Sequence, residues 1–174
     1  FCRLQDDIVD EGFTSFDKSE AEELTNTIKS YGISDKLINE LIDGVKSDEN
    51  FRRYKDNSEL LRYCYKVAGV VGLMMVKALN IKDEKAKFYA IDLGIAMQLT
   101  NISRDVMQDY QKNRIYIPSN TEISESLLEN LDEKGTERVK RAVENLLLKA
   151  DIYYKSSLNG IRFIPISSRI SILI

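Results

Sequence analysis

Four polar side chains recur at helical spacing along the stretch QLTNISRDVMQD. They are Gln98, Asn101, Asp105 and Asp109. On an α-helix, which turns by about 100° per residue, the four share one edge, and Arg104 lies on the other flank of Asn101. Carboxylate and amide oxygens suit Mg²⁺, which completes its shell with water and substrate phosphate. The stretch therefore predicts either a site for a cation and a phosphorylated ligand, or a solvated acidic face.

A second pair of carboxylates has the same spacing near the beginning of the chain. In CRLQDDIVDE, Asp6 and Asp10 lie one helical turn apart, and Arg3 lies one turn before Asp6. The spacing does not match a calcium-binding loop. Taken alone, the segment is equally compatible with an acidic helix end. Two such helices that face each other would hold a cluster of Mg²⁺ ions and the diphosphate that these ions neutralise.

The composition limits the chemistry that remains. The chain has no histidine, which excludes histidine-dependent triads and histidine-ligated metals. Its 28 acidic and 25 basic residues are mixed along the chain, so no basic face predicts binding to nucleic acid. Cys2 and Cys64 lack the spacing of a zinc site and are interpreted as reduced core thiols. An anionic ligand must therefore be held by a few placed arginines or by bound cations.

The elements that position these residues are predicted to be helices. Apolar residues recur at three- and four-residue spacing, and only 8 glycines and 2 prolines interrupt them. The length of 174 residues, 43% of them hydrophobic, predicts a single domain over residues 1–174. Helices are expected at 1–11, 19–30, 34–47, 57–79, 82–112, 124–131 and 133–158, with Ser34, Ser58 and Ser124 as N-caps. Both ends of the chain are expected to be truncated.

Small residues indicate a close approach within YCYKVAGVVGLMMVKAL. Ala68, Gly69 and Gly72 share one helix face, although a glycine inside a helix costs about 1 kcal/mol relative to alanine. Either another helix packs tightly there, or a long apolar ligand lies beside the helix with Val67 among the lining residues. Tyr63 is half a turn from that face and is expected to present its ring or hydroxyl to a cavity, where an aromatic face would stabilise a cation.

The segment KNRIYIP follows the long predicted helix. Arg114 and Tyr116 come five and seven residues after Asp109, so they could fold back over its end. The donors of a guanidinium match diphosphate oxygens as a fork. A surface arginine before a proline turn explains the same residues equally well.

Three of these segments together resemble the signatures of the squalene/phytoene synthase family. CRLQDDIVDE, YCYKVAGVVG and DLGIAMQLTNISRDVMQDYQKNRIYIP occur in the order of that family, and the similarity spans residues 1–118. VVGLMM and AMQLTNISRDV are most similar to bacterial phytoene synthases. The resemblance implies an all-α fold, the isoprenoid synthase helical bundle around a central cavity. The stretch after Asp10 is about one helix shorter than is usual in the family.

The resemblance also implies an activity. A prenyltransferase of this kind condenses two geranylgeranyl diphosphates head to head to phytoene through a cyclopropyl diphosphate, with release of diphosphate, in carotenoid biosynthesis. The alternatives are a squalene or dehydrosqualene synthase that uses two farnesyl diphosphates, and a non-enzymatic assembly or scaffold homologue on the same fold. Mg²⁺ is the implied cofactor, with Mn²⁺ as its substitute, and NADPH is not expected. A cytoplasmic location is expected, either free or peripheral to a membrane.

The resemblance assigns roles to residues by position. Asp6, Asp10, Asn101, Asp105 and Asp109 would bind the metal ions, and the four aspartates are counted as catalytic together with Tyr63, which would stand near the reacting carbons. Diphosphate oxygens would be bound by Arg3, Arg104 and Arg114. Gln98 would stand at the wall of the substrate cavity, and Asn101 is counted among the substrate-binding residues as well. Val67 and Gly72 are expected in the same lining from the interpretation of the small-residue face.

Overall fold

The computed structural model describes residues 26–166, and helices carry the fold of this range. Residues 26–30 are helical, and the helices that follow are α1 (Asp35–Lys46), α2 (Asn57–Cys64), α3 (Val70–Ala78), α4 (Lys85–Arg104), α5 (Val106–Gln111), α6 (Glu125–Glu129) and α7 (Glu133–Leu158). A π-helical turn, Tyr65–Gly69, joins α2 to α3, and a 3-10 turn, Ile161–Phe163, follows α7. Residues 26–166 contain no strand, which confirms the predicted all-α class.

The central element of the bundle is α4. It packs along α7 on one side and against α2, the π-helical turn and α3 on the other. Leu99 of α4 and Cys64 of α2 are fully buried in the larger core cluster. A smaller cluster holds α1 against α3 and consists of Leu41, Val45, Val70 and Met74. Because burying one large aliphatic side chain contributes about 1.5–3 kcal/mol, these two clusters fix the helices that surround α4.

Two glycines allow α3 and α4 to touch. A Cβ added at Gly72 would lie 2.2 Å from the Ala90 carbonyl oxygen, and one at Gly94 would lie 2.3 Å from the Ala68 carbonyl oxygen. No side chain fits at such distances, so only glycine permits this backbone contact. The two contacts run in opposite directions along the two helices, which are therefore antiparallel. Tight helix packing thus explains the small residues of this segment.

A hydrogen-bonded turn ends α3 and leads into α4. Asn80 has a φ of 55°, in the left-handed region. Its N–H donates to the Lys77 carbonyl at 2.9 Å, and the N–H of Ile81 donates to the Val76 carbonyl at 3.0 Å. This pair of bonds is the Schellman pattern that satisfies the last carbonyls of a helix. The break predicted between the helices 57–79 and 82–112 is confirmed.

The helix caps agree in part with the predicted ones. Ser124 caps α6, since its Oγ accepts from the Leu127 N–H at 3.2 Å. Ser34 stands at the N-cap of α1 but makes no side-chain cap bond. The prediction for Ser58 was wrong, because Asp56 is the N-cap of α2 and its Oδ1 accepts from the Ser58 N–H at 2.8 Å. The carboxylate of Asp56 competes better for the free N–H groups, as is common at N-caps.

The prediction of one continuous helix over residues 82–112 was wrong. The helix ends at Arg104 and begins again at Val106, with Asp105 between them at φ −102° and ψ 14°. Aspartate favours such breaks because its short side chain offers local alternatives to helical hydrogen bonding. The Asp105 N–H still donates to the Asn101 carbonyl at 2.9 Å, so the axis continues across the break.

No helix within residues 26–166 is both long enough and apolar enough to cross a membrane.

Candidate active site

An apolar cavity of about 490 Å³ lies between α3, α4 and the end of α7. Its wall includes four residues that were predicted to line a substrate site, namely Val67, Gly72, Gln98 and Asn101. Gln98 and Asn101 are the polar residues that α4 contributes, and they lie near its C-terminal end. The rest of the α4 wall is mostly aliphatic, so the cavity is polar at one end and suited to a hydrocarbon along its length.

Beyond the polar end, Asp105 is paired with its neighbour in sequence. The Arg104 guanidinium donates from Nε to Asp105 Oδ1 at 2.7 Å and from Nη2 to Oδ2 at 2.6 Å. These bonds hold the pKa of the Asp105 carboxyl below its usual range. Arg104 is largely exposed, so a diphosphate at this position would compete with the carboxylate for the same donors.

One turn further, the Asp109 carboxyl is half-buried and has the opposite shift. Burial is the main cause that raises its pKa to about 6, and the charge of Asp105 is the second cause. Arg114 and Lys112 offset part of this rise. Two neighbouring carboxylates, one of which resists ionisation, form a donor set that a divalent cation would stabilise.

The segment after α5 turns back towards Asp109, as was predicted for the residues that carry Arg114 and Tyr116. Asn113 has a φ of 60°, and the Arg114 N–H donates to the Asp109 carbonyl at 2.9 Å. Three carbonyls downstream accept from the Arg53 guanidinium: those of Ile117, Pro118 and Ile123, at 2.8, 3.1 and 2.6 Å. Arg53 therefore fixes the path of the chain that carries Arg114 and Tyr116.

Tyr63 lies elsewhere than expected. Its side chain is 6% exposed and belongs to the larger core cluster. Of the described residues, Val67, one turn later, lines the cavity, and Tyr63 does not. The Tyr63 hydroxyl donates to Asp48 Oδ2 at 2.9 Å, and the Tyr116 hydroxyl donates to Asp48 Oδ1 at 2.8 Å. These hydrogen bonds do not test the role near the reacting carbons that was assigned to Tyr63, and this role stays a prediction.

An aromatic cluster surrounds this carboxylate. The rings of Tyr63 and Tyr116 are stacked with centroids 5.2 Å apart, and Phe51 and Tyr54 pack against them. Burial, and secondly the charge of Asp48, raise the pKa of both hydroxyls of the stacked pair, which keeps them protonated as donors. Sequence reasoning missed Asp48 and Arg53, because their partners lie 15 to 70 residues away.

The remaining predicted site residues, Arg3, Asp6 and Asp10, lie outside the described residues, as does Cys2. Within 26–166, no group of three or more cysteine or acidic side chains is close enough to hold a metal ion. The cation site that includes Asn101, Asp105 and Asp109 stays a prediction. Cys64 is a buried free thiol, which confirms the interpretation of this cysteine.

Comparison with known proteins identifies the family. The model of the squalene/phytoene synthase family matches residues 15–174. The chain belongs to this family. The 15-cis-phytoene synthase of Enterobacter agglomerans is 39% identical to this squalene/phytoene synthase homologue over 127 residues, which cover 72% of this chain and 43% of that protein. The chloroplastic phytoene synthase of an Oncidium hybrid cultivar is 33% identical over 181 residues, covering 99% of this chain and 43% of the relative.

Solved structures show the same fold. A dehydrosqualene synthase in complex with a ligand superposes with a TM-score of 0.74 at 25% identity, covering 95% of this chain and 65% of that one. The squalene synthase HpnC of Alicyclobacillus acidocaldarius gives a TM-score of 0.73 at 21% identity, covering 97% and 72%. The bundle of this squalene/phytoene synthase homologue is thus an isoprenoid synthase fold. The chain spans less than half the length of the two phytoene synthases compared above.

Proposed function

We propose that the protein to which this chain belongs condenses two geranylgeranyl diphosphates head to head to form phytoene. The observation that carries the proposal is the cavity that is apolar along α4 and becomes polar at Gln98 and Asn101, directly before Asp105 and Asp109. Such a cavity places a hydrocarbon tail on one side and a charged head on the other. The phytoene synthases among its relatives support the choice of this reaction.

The polar end supplies ligands for a cation and for diphosphate oxygens. Asn101, Asp105 and Asp109 would hold Mg²⁺, or Mn²⁺ in its place, together with Asp6 and Asp10, and the bound ion would neutralise the leaving diphosphate. The carboxyl of Asp109 must lose its proton to become a ligand. Because its pKa is raised to about 6, it keeps this proton up to a higher pH than an ordinary aspartate as long as no cation is bound. Arg3, Arg104 and Arg114 would donate hydrogen bonds to the diphosphate oxygens.

The atoms and electrons of the reaction balance without a reductant. The C–O bond of one allylic diphosphate breaks, and its electron pair leaves with the diphosphate. The double bond of the second substrate attacks the resulting cation, and loss of a proton gives a cyclopropyl diphosphate. The second C–O bond then breaks, and rearrangement with loss of a second proton gives phytoene. Two diphosphates and two protons are released in total, so NADPH has no step to serve.

The wall of the cavity has a separate task, which is to exclude water. A carbocation is quenched by water, so the reacting carbons must be enclosed by side chains without nucleophilic atoms. Val67, Val71 and Leu93 provide such a surface next to Gln98, because their side chains contain only aliphatic carbons.

A second candidate is the condensation of two farnesyl diphosphates to dehydrosqualene. The structural similarity to a dehydrosqualene synthase favours it, since that protein shares the fold over 95% of this chain. The same chemistry applies to both substrates, and only the length of the tail differs. A scaffold without activity is disfavoured, because Asn101, Asp105 and Asp109 are all present.

The test is to incubate the full-length protein with geranylgeranyl or farnesyl diphosphate and Mg²⁺, with and without NADPH, and to identify the hydrocarbon. Phytoene from geranylgeranyl diphosphate without NADPH is expected. Squalene formed only with NADPH would contradict the proposal, and so would folded protein that yields no hydrocarbon from either substrate.

A variant tests the role of the polar end. Asp105→Asn removes one negative charge from the cation site and is expected to lower turnover at least a hundredfold while circular dichroism shows the same helical content. Asp43→Asn, at an exposed position of α1, is the matched control and should keep full turnover. Equal turnover of the two variants would reject Asp105 as a metal ligand.

A further inference from the structure

The end of the cavity that lies farthest from Asn101 is closed by the turn between α3 and α4. Leu79 and Ile81 of this turn line the cavity, as do Val76 and Ala86 on the adjoining helices. Val76 and Ala86 are each 4% exposed, whereas Leu79 and Ile81 are partly buried, so the two helices contribute the buried side chains at this end.

The two helices that flank the cavity keep a constant register down to this turn. Gly94 contacts the backbone of Ala68, and Gly72 contacts the backbone of Ala90 one turn further on. Continuing by one more turn places Val76 opposite Ala86. The residues that α4 contributes to the wall recur at three- and four-residue spacing, namely Ala86, Tyr89, Ala90, Leu93, Gly94, Met97, Gln98 and Asn101.

The turn is a fixed wall. The Ile81 N–H donates to the Val76 carbonyl at 3.0 Å, and the Asn80 N–H donates to the Lys77 carbonyl at 2.9 Å. Because both bonds close the last turn of α3 onto itself, the position of Ile81 is set by the end of the helix. A ligand that reaches Ile81 therefore meets a stop that backbone hydrogen bonds hold in place.

The apolar part of the cavity has a length that can be compared with prenyl chains. From Gln98 to Ala86, α4 rises by about 18 Å at about 1.5 Å per residue. An extended chain advances roughly 1.2 Å per bond, since a peptide of three bonds per residue advances about 3.5 Å. The main chain of a geranylgeranyl group, with about 15 bonds, then spans roughly 18 Å, and that of a farnesyl group spans roughly 13 Å.

We infer that the turn between α3 and α4 is the stop that sets tail length, with Ala86 and Ile81 as specificity-determining residues. This inference rests on the proposed function, which places the diphosphate beyond Asn101. A tail of four isoprene units fills the cavity down to the stop. A tail of three units ends about one helical turn short, at the level of Ala90, and leaves the space beside Ala86 unfilled.

Two substitutions in the full-length protein test the stop in opposite directions. Ala86→Phe fills the last turn of the cavity, so the ratio of geranylgeranyl to farnesyl condensation should fall at least tenfold. Ile81→Ala removes the end wall and should raise the use of a tail of five isoprene units at least fivefold. Lys85→Phe adds the same ring at an exposed neighbouring position that does not line the cavity, and it should leave both ratios unchanged.

Binding measurements separate this inference from the proposed function. Calorimetric titration with unreactive thiolo-diphosphate analogues of the three tails reports tail preference even without turnover. A protein that makes no hydrocarbon but whose tail preference shifts as described would overturn the proposed function and support the stop. If Ala86→Phe and Ile81→Ala both keep the wild-type preference in binding, the stop is rejected, whatever the activity. Should Ala86→Phe fail to fold, Ile81→Ala decides the outcome.

Discussion

The Tyr63 hydroxyl donates a hydrogen bond to Asp48 over 2.9 Å and thereby ties α2 to the loop that follows α1. Tyr116 donates to the other oxygen of the same carboxylate at 2.8 Å. One side chain thus satisfies two buried hydroxyls whose residues lie 53 positions apart in the sequence. Hydrogen bonds to a charged acceptor each contribute about 1.5–3 kcal/mol.

Removal of this acceptor is expected to destabilise the fold. Asp48→Ala leaves two buried hydroxyls without their partner, so the free energy of unfolding should fall by about 3–5 kcal/mol. Tyr63→Phe removes only one donor and should cost about 1–3 kcal/mol. Urea denaturation followed by circular dichroism measures both. Asp43→Ala, exposed on α1, is the control and should change the stability by less than about 0.5 kcal/mol. A loss for Asp48→Ala no greater than for this control would show that the carboxylate is dispensable.

The raised pKa of Asp109 predicts how stability depends on pH. A carboxyl whose pKa is higher in the folded state, here about 6, holds its proton more tightly there than in the unfolded chain. Its contribution to stability is therefore largest at low pH and falls as the pH rises from about 4 to about 6. Asp109→Asn removes this loss. Because the group is half-exposed, solvent screening limits the gain above pH 6 to about 1 kcal/mol.

Thermal unfolding without divalent cations measures this effect. The melting temperature of Asp109→Asn should exceed that of the wild type by about 2–5 °C at pH 7.5 and should equal it at pH 4. In the wild type, Mg²⁺ affinity should rise with pH through the same range, since the ion binds the ionised carboxylate. Equal melting temperatures at pH 7.5 would mean that Asp109 ionises without cost.

The contact between α3 and α4 predicts a strict need for glycine. In Gly72→Ala and Gly94→Ala the new methyl group would meet a backbone carbonyl oxygen at 2.2 or 2.3 Å, so the helices must separate. Each variant should lose about 2–4 kcal/mol, as overpacked sites do, and denaturant unfolding measures the loss.

The control is Gly135→Ala in the first turn of α7. The nearest atom to the added methyl is the Asp132 side chain at 3.1 Å, which can adjust. Alanine also improves helix propensity there, so the change should stay within about 1 kcal/mol. Similar losses in all three variants would point to a general cost of the substitution and away from the backbone contact.

Local patterns were sufficient for much of the fold. The predicted helix 133–158 matches α7 at both ends, because Asp132 is a strong N-cap and Asn159 and Gly160 end the periodic pattern. The spacing of Gln98 and Asn101 also predicted correctly that they lie on one edge, and that edge is the cavity wall. Both results depend on residues within one or two turns of each other, where the rotation per residue is well known.

Long-range partners and local changes of pitch could not be predicted in this way. Asp48 and Arg53 lie in a polar stretch that is typical of an exposed loop, and only the fold brings their acceptors and donors to them. On a regular α-helix Val67, five residues before Gly72, would lie about 140° away from it. The π-helical turn between them rotates less per residue, which brings Val67 to the cavity side, while Tyr63 lies in the core.

The same turn restricts how this chain can vary in evolution. A π-helical turn holds about one residue more than an α-helical turn, so loss of one residue from Tyr65–Gly69 that restores the α-helical pitch would leave the direction in which α3 faces nearly unchanged. If the same five residues adopted the α-helical pitch without a deletion, α3 would rotate by about 100° relative to α2. Val71, Gly72 and Met75 would then turn away from the cavity together, and the glycine contact with Ala90 would be lost as well. Selection is therefore expected to act on the pitch of this stretch and on its number of residues together.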